Sequence, residues 1–262
     1  MTSPALRVRG LRAGYGQTTV LDGVDLEVAP GEIRAILGGS GCGKSTLLRN
    51  AVGLERPWEG SVELLGRPWD PVEKKPENEA LEKIGILFQG GALLSALTVG
   101  ENVALPLRVH HPALSPGLLR ELVRLKLGQV RLEGAEDKKP GELSGGMRKR
   151  AGLARALAAD PELLFCDEPS AGLDPVTSRG LDELLLELRE TLGITMVVVT
   201  HELDSIRALA DKIAFLSGGR VIFDGTLAEA EASGPAETRD FLARRPSDEA
   251  RNLPSLAFTL ED

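Results

Sequence analysis

A glycine-rich segment that ends in lysine and serine is the strongest chemical signal in this 262-residue sequence. Residues 38–45 match the spacing G-x-x-x-x-G-K-[ST] between an apolar run, Ile33–Leu37, and a predicted helix over Lys44–Val52. Glycines let backbone N–H groups surround phosphate oxygens, and the N-terminus of the helix adds partial positive charge. We therefore predict that Lys44 reaches the terminal phosphates of a nucleotide and that the Ser45 hydroxyl binds Mg²⁺. The alternative is an ordinary glycine-rich turn before a helix.

Two adjacent acids end another apolar run. Asp167 and Glu168 follow Leu163–Cys166, at the carboxyl end of a strand, where open α/β sheets bind ligands. We predict that Asp167 holds the metal, directly or through water, and that Glu168 orients and deprotonates an attacking water. The alternative is that both acids cap a helix that starts near Val176. The nearby phosphate loop favours the metal and base roles.

A third segment, Ser-Gly-Gly at 144–146, predicts a helix start with a serine cap and exposed backbone amides. Those amides could also bind another phosphate, and the residues alone leave both possibilities open. Three basic residues at 148–150 follow. We interpret them as one helix face near the nucleotide interface, with contact to lipid headgroups as the alternative.

The elements that must position these residues are buried strands and amphipathic helices. Leucines at 181, 184, 185, 188 and 192 predict a helix that ends at Gly193. A strand on either side of this helix implies a right-handed parallel crossover. Residues 91–159 predict a helical insert, with helices around Leu118–Leu127 and Met147–Ala158. Continuous apolar runs predict four strands of a sheet covered on both faces: Ile33–Leu37, Leu163–Cys166, Ile194–Thr200 and Ile213–Leu216.

Composition excludes several classes of protein. Hydrophobic residues are 42% and charged residues 27% of the chain, as in globular proteins. A net charge of −8 and 3% aromatic residues argue against nucleic acid as a partner. Two cysteines cannot form a disulfide framework. No apolar run reaches the roughly 18 residues of a membrane span, so we expect a cytoplasmic chain that acts on membranes only through a partner.

In their order along the chain, these motifs resemble those of the ATP-binding subunits of ATP-binding cassette (ABC) transporters, over about residues 6–225. The resemblance implies an α/β fold: a P-loop NTPase (RecA-like) core with an N-terminal antiparallel β subdomain and an inserted α-helical subdomain. We expect four segments: the first part of the nucleotide-binding core (1–90), the helical subdomain (91–159), the second part of the core (160–225), and C-terminal helices with a tail (226–262).

The resemblance also implies the residues of an ATP and Mg²⁺ site. The predicted catalytic residues are Glu168, His201, Lys44 and Gln89. The predicted metal ligands are Ser45, Gln89 and Asp167. The predicted nucleotide-binding residues are Tyr15 against adenine, then Gly38, Gly39, Ser40, Gly41, Cys42, Gly43, Lys44, Ser45 and Thr46 around the phosphates, and finally Ser144, Gly145, Gly146 and Asp174, which reach the nucleotide or the opposite subunit.

The same family pattern implies a head-to-tail homodimer and a partner permease. Each ATP would lie between 38–45 of one subunit and 144–146 of the other, so that hydrolysis opens the dimer. Gln89 would sense the γ-phosphate and Mg²⁺, and the permease would dock near it. His201 would hold the γ-phosphate and help to position the water.

One departure from the family pattern suggests the cargo. Met147 stands where ABC proteins usually have glutamine, and 144–156 resembles the ATPases of Mce/Mla-type phospholipid transporters. That resemblance implies an integral membrane permease, an MCE-domain lipid-binding protein and a small accessory subunit, with the ATPase on the cytoplasmic face of the inner membrane. The alternatives are an importer of a polar solute such as an amino acid, a mechanical ABC protein acting on DNA or ribosomes, and a scaffold without turnover.

A further expectation concerns the C-terminal region. Helices are predicted around Leu227–Ala232 and Glu237–Arg244. Beyond Pro246, four apolar residues return, three of them in alternation. We expect this tail to dock on a neighbouring subunit or partner; the residues concerned are Leu253, Leu256, Phe258 and Leu260.

Overall fold

The computed structural model describes residues 3–69 and 79–244. The apolar tail, with its predicted docking, lies outside the described residues. The first half of the described chain contains β1 (Leu6–Tyr15), β2 (Thr18–Val28), β3 (Ile33–Leu37), α1 (Lys44–Ala51), β4 (Glu59–Leu64), β5 (Arg67–Trp69), α2 (Glu79–Glu82), β6 (Ile84–Leu87), α3 (Val99–His110) and α4 (Pro116–Gln129). The second half contains a 3₁₀ turn (Pro140–Glu142), α5 (Gly145–Ala156), β7 (Leu163–Asp167), α6 (Pro175–Leu192), β8 (Thr195–Val199), α7 (Leu203–Leu209), β9 (Lys212–Ser217), β10 (Arg220–Gly225), α8 (Leu227–Ser233) and α9 (Ala236–Leu242).

The strands form two sheets. A four-stranded antiparallel sheet has the order β2-β1-β4-β5, and a six-stranded sheet has the order β10-β9-β3-β8-β7-β6. In the larger sheet β9, β3, β8, β7 and β6 are parallel, and β10 pairs antiparallel with β9. The predicted α/β fold with an antiparallel N-terminal sheet is thus confirmed.

The central strands are buried along their whole length, as their apolar runs predict. Every residue of β3 and β8 is buried. The four predicted strands all form, and β6 joins them at one edge of the sheet. Because parallel strands end at the same edge, the segments that follow β3, β6, β7 and β8 are brought to one side of the molecule.

Helix α6 forms between β7 and β8, as its leucine pattern predicts. Asp174 caps it by accepting hydrogen bonds from the N–H groups of Val176 and Thr177. Gly193 ends it in a left-handed conformation, at φ 67°. The alternative role of Asp167 and Glu168 as caps of this helix is therefore wrong, because Asp174 occupies the cap.

Helices α3, α4 and α5 lie between β6 and β7 and share a buried apolar core with α6. After β10, α8 and α9 form where two C-terminal helices are predicted, although α9 ends at Leu242, before the expected Arg244. Phe241 of α9 packs edge-on against Phe215 of β9, with ring centroids 5.2 Å apart. Within residues 3–69 and 79–244, no helix combines the length and the apolar character that a membrane crossing requires.

Candidate functional site

The predicted phosphate loop connects β3 to α1 through a tight turn. Gly38 has φ 147°, and a Cβ atom there would lie 2.1 Å from the carbonyl oxygen of Leu216. Gly43 has φ 106°, and a Cβ atom there would lie 2.7 Å from Leu21 Cδ2. Both positions therefore require glycine, because a side chain would collide with β9 or β2.

The loop leaves the N-terminus of α1 open. Gly43 provides no side-chain cap, and the first turn of the helix carries no acid. The Lys44 ammonium donates to the carbonyl oxygens of Gly38 and Gly39, both at 2.8 Å. Ser45 is exposed and Thr46 is buried. An uncapped helix start with a lysine beside it is suited to binding an anion.

The acid pair lies at the end of β7, as predicted. Asp167 is half-buried, and burial raises the pKa of its carboxyl group, with the charge of Glu168 adding to the effect. Among the described residues, Asp167 Oδ1 and Glu168 Oε2 are buried atoms without a hydrogen-bond partner. Buried carboxylate oxygens are normally satisfied, so these two fit a cation and a water molecule that the protein does not itself supply.

His201 reaches Glu168 from the loop after β8. Its Nδ1 atom lies 2.8 Å from Glu168 Oε1, and its Nε2 atom lies 3.7 Å from Glu202 Oε1. The His201 side chain is 56% exposed, whereas that of Glu168 is only 13% exposed. The imidazole therefore covers one oxygen of a nearly buried carboxylate and presents its other edge to solvent.

Gln89 lies on the loop after β6 and is exposed to solvent. Its carbonyl oxygen accepts a hydrogen bond from the buried ammonium of Lys149, which also donates to the Glu168 carbonyl oxygen at 2.8 Å. Burial lowers the pKa of Lys149, and the negative charge of Glu168 opposes that effect. The interpretation of 148–150 as one helix face is therefore wrong for Lys149, which points inward.

The Ser-Gly-Gly segment forms the start of α5. The Ser144 hydroxyl accepts a hydrogen bond from Met147 N at 3.2 Å, which confirms the predicted cap. A cavity of about 410 Å³ opens beside it, and Arg131, Lys138 and Arg150 are among the lining residues. No residue of the phosphate loop lines this cavity, so within the described chain it does not join the two phosphate-binding segments.

Tyr15 and Asp174 complete the predicted set. The Tyr15 hydroxyl donates to the Glu55 carboxylate at 3.1 Å and lies 3.4 Å from Thr46 Oγ1, while its ring is half exposed. The structure thus places this aromatic residue against the start of α1. Asp174 accepts from the Thr177 hydroxyl at 2.5 Å, and this hydrogen bond lowers the pKa of its carboxyl group.

A buried polar cluster between α6 and α7 was not predicted from the sequence. The Ser205 hydroxyl of α7 donates to Asp182 Oδ2 of α6 at 2.7 Å, and the Ser170 hydroxyl lies 3.4 Å from that of Ser205. Burial raises the pKa of Asp182 to about 6. Asp182 lies between the leucines of an amphipathic pattern, where only knowledge of α7 could have shown that it is buried.

The chain is similar to known proteins over most of its length. The family model described as "ABC transporter" matches residues 21–171. The chain is 38% identical over 241 residues to "Probable ribonucleotide transport ATP-binding protein mkl" of Mycobacterium leprae (strain TN). The aligned region covers 92% of this chain and 69% of that protein. The chain is also 41% identical over 216 residues to "Methionine import ATP-binding protein MetN" of Geobacillus kaustophilus (strain HTA426). That aligned region covers 82% of this chain and 62% of the relative.

Two solved structures have similar folds. CbiO1 from Clostridium perfringens, described as part of the ABC transporter complex cbiONQ, superposes with a TM-score of 0.78 and 33% identity over 88% of this chain and 92% of that one. The ATP-binding cassette MJ0796, in a dimeric post-hydrolysis state bound to ADP and Pi, superposes with a TM-score of 0.75 and 33% identity over 85% of this chain and 98% of that one.

Proposed function

Because the chain belongs to the ABC transporter family, whose ATPase subunits hydrolyse ATP, we propose that it is an ATPase subunit that drives a partner permease. In this proposal two copies of the chain close head to tail around ATP. The observation that carries the hydrolytic part of this proposal is the position of Glu168. Its Oε2 atom is buried and has no hydrogen-bond partner in the described part of the chain. It lies at the sheet edge that also carries the phosphate loop, with His201 held against its other oxygen.

The phosphate loop binds the triphosphate of ATP in this proposal. Lys44 exchanges the carbonyl oxygens of Gly38 and Gly39 for phosphate oxygens, and the amides of 38–46 surround the rest. Ser45 and Asp167 hold Mg²⁺, with Gln89 as a further ligand. A bound Mg²⁺ offsets negative charge on the phosphates and prefers such oxygen ligands. Tyr15 stacks its half-exposed ring on adenine.

Glu168 and His201 perform the hydrolytic step. Glu168 takes the proton of the attacking water at Oε2, while Oε1 stays with His201. With Nδ1 kept on Glu168, the exposed Nε2 edge of His201 would face the γ-phosphate. A positioned general base contributes about 10²- to 10⁴-fold to such a reaction.

The second copy supplies the other half of each nucleotide site. Ser144 and Gly146 line a cavity with Arg131, Lys138 and Arg150, and no residue of the same chain's phosphate loop lines it. The amides of 144–146 bind the γ-phosphate of the partner's ATP, and Asp174 contacts the opposite subunit. Release of phosphate removes the shared ligand and lets the dimer open. The dimeric MJ0796 structure supports this arrangement by likeness.

We propose phospholipid as the cargo. The support is the segment that begins at Met147 and resembles Mce/Mla-type ATPases. The partners are then an integral membrane permease, an MCE-domain protein and a small accessory subunit, with this chain on the cytoplasmic face of the inner membrane and nucleic acid playing no part. A second candidate is import of a polar solute, which the 41% identity with a methionine import protein favours.

Affinity purification from native membranes in mild detergent tests the cargo, with an untagged strain as the control. Mass spectrometry identifies the co-purifying proteins and lipids. A multi-span permease together with an MCE-domain protein and phospholipid is the expected result. A solute permease without lipid enrichment would overturn the phospholipid proposal and leave the ATPase intact. The absence of any membrane protein would contradict the transporter role and point to the mechanical class.

A further inference from the structure

One side of α5 is attached to the loop that carries Gln89. The Arg155 guanidinium donates to the carbonyl oxygens of Gly91 and Ala92, at 2.9 and 2.7 Å. One turn earlier, a Cβ atom at Gly152 would lie 2.8 Å from Gly91 Cα, so the helix and the loop are in direct backbone contact. This side of α5 therefore fixes the path of the chain after β6.

Lys149, one turn earlier still, extends this attachment to the acid pair. Its side chain is 5% exposed, and its ammonium donates to the carbonyl oxygens of both Gln89 and Glu168. Gln89 follows β6, Glu168 follows β7, and these two strands are parallel neighbours. One side chain of α5 thus bonds the backbones of two other segments: the loop with Gln89 and the end of the acid-bearing strand.

The hydrogen bond from Lys149 to Glu168 holds a residue whose backbone is strained. Glu168 has φ 48°, a left-handed conformation that a non-glycine residue adopts only when its surroundings enforce it. Its N–H donates to Val199 at 2.8 Å, and its carbonyl oxygen accepts from Lys149. These two bonds fix both sides of the residue, and thereby aim its carboxylate at His201.

We propose that Lys149 is a positioning residue for hydrolysis, which transmits the position of α5, the helix capped by Ser144, to the backbones of Gln89 and Glu168. It touches neither ATP nor the attacking water. This inference rests on the proposed function of the site. It predicts that loss of the ammonium slows turnover while nucleotide binding is retained.

The test uses the full-length chain with the substitutions Lys149→Met, Lys149→Arg and Lys149→Gln. Methionine keeps an unbranched apolar stem but cannot donate a hydrogen bond, whereas arginine keeps a cationic donor. Lys83→Met is the matched control, because Lys83 is an exposed lysine paired with Glu162. For each variant we would measure the ATPase kcat and KM, ATP affinity by calorimetry, and the urea midpoint.

We expect Lys149→Met to lower kcat by about tenfold or more, since a misplacement of about 1 Å can cost up to 10²-fold. ATP affinity should stay within about twofold of wild type, because Lys149 positions the catalytic carboxylate and does not contact the nucleotide. Lys149→Arg should recover most of the kcat, and Lys83→Met should match the wild type. In a Glu168→Gln background, Lys149→Met should still form the ATP-bound dimer.

Three results would overturn the inference: a wild-type kcat for Lys149→Met, a kcat for Lys149→Arg as low as that of Lys149→Met, or a parallel loss of kcat, ATP affinity and the urea midpoint. If Lys149→Met does not fold, Lys149→Gln provides the test. The glutamine amide is shorter and should bond the two carbonyl oxygens less well, so we expect a kcat between those of wild type and an inactive variant. A wild-type kcat for Lys149→Gln would then contradict the inference. An inactive wild type would instead refute the proposed function.

Discussion

The buried carboxyl group of Asp182 makes the stability of this protein depend on pH, and Asp182→Asn should remove that dependence. Asp182 is 4% exposed, and among the described residues its Oδ1 atom has no hydrogen-bond partner. Burial is the largest cause of its raised pKa; the Ser205 hydroxyl opposes the rise, and the negative charges of Glu183 and Glu202 add to it. Folding therefore favours the protonated form.

The magnitude follows from the two pKa values of Asp182. The ordinary value is 3.8, and the folded value is about 6. A difference of about 2 corresponds to about 3 kcal/mol in the free energy of unfolding. Because the folded pKa is the higher one, this stabilisation is complete below pH 3.8 and is lost as the pH rises to about 6. Of the total, about 1.4 kcal/mol falls between pH 5 and pH 7.5.

Urea unfolding at pH 5 and pH 7.5 measures this contribution. Asparagine resembles the protonated acid, so Asp182→Asn should match the wild type most closely at pH 5 and be relatively more stable at pH 7.5, by about 1.4 kcal/mol more than at pH 5. Glu190→Gln is the control, since it removes an exposed carboxylate from the same helix. An equal pH dependence in wild type and Asp182→Asn would refute the reasoning.

Four further substitutions test the local structure on which this account depends. Gly38→Ala should lower the free energy of unfolding by about 1–3 kcal/mol and weaken ATP binding, because its Cβ would strike the carbonyl oxygen of a β9 residue; unchanged ATP affinity would contradict this. Asp174→Ala should cost about 1 kcal/mol in urea unfolding through loss of the cap, with Asp174→Asn as the control. Gly152→Ala should destabilise the protein by displacing Gly91, whereas Gly117→Ala, in a helix with open space, should stabilise it by about 0.5–1 kcal/mol; calorimetric melting compares the two.

The ends of the buried strands could be predicted from the sequence because the motif residues follow directly after apolar runs. The apolar runs before Gly38 and Asp167 were recognisable without any structure, and parallel strands must bring their carboxyl ends together. The contact between Glu168 and His201 could not be predicted from spacing, since 33 residues separate them. It depends on which strands become neighbours in the sheet.

Two features were hidden for identifiable reasons. The antiparallel sheet came from family resemblance because β1 carries a register shift between Val8 and Leu11, which breaks the alternation of its buried residues. The basic run at 148–150 could not reveal that Lys149 points inward. Successive helical residues differ by about 100° in direction, so the buried one is known only once the neighbours of α5 are known.

Turnover by Glu168→Gln is the most direct test of the central claim, that Glu168 is the base of an ATP-hydrolysing dimer. We predict that this variant binds ATP as the wild type does and accumulates as an ATP-bound dimer in size-exclusion chromatography. Its kcat should fall by about 10²- to 10⁴-fold. Hydrolysis of ATP by the variant at the wild-type rate would contradict the assignment of Glu168.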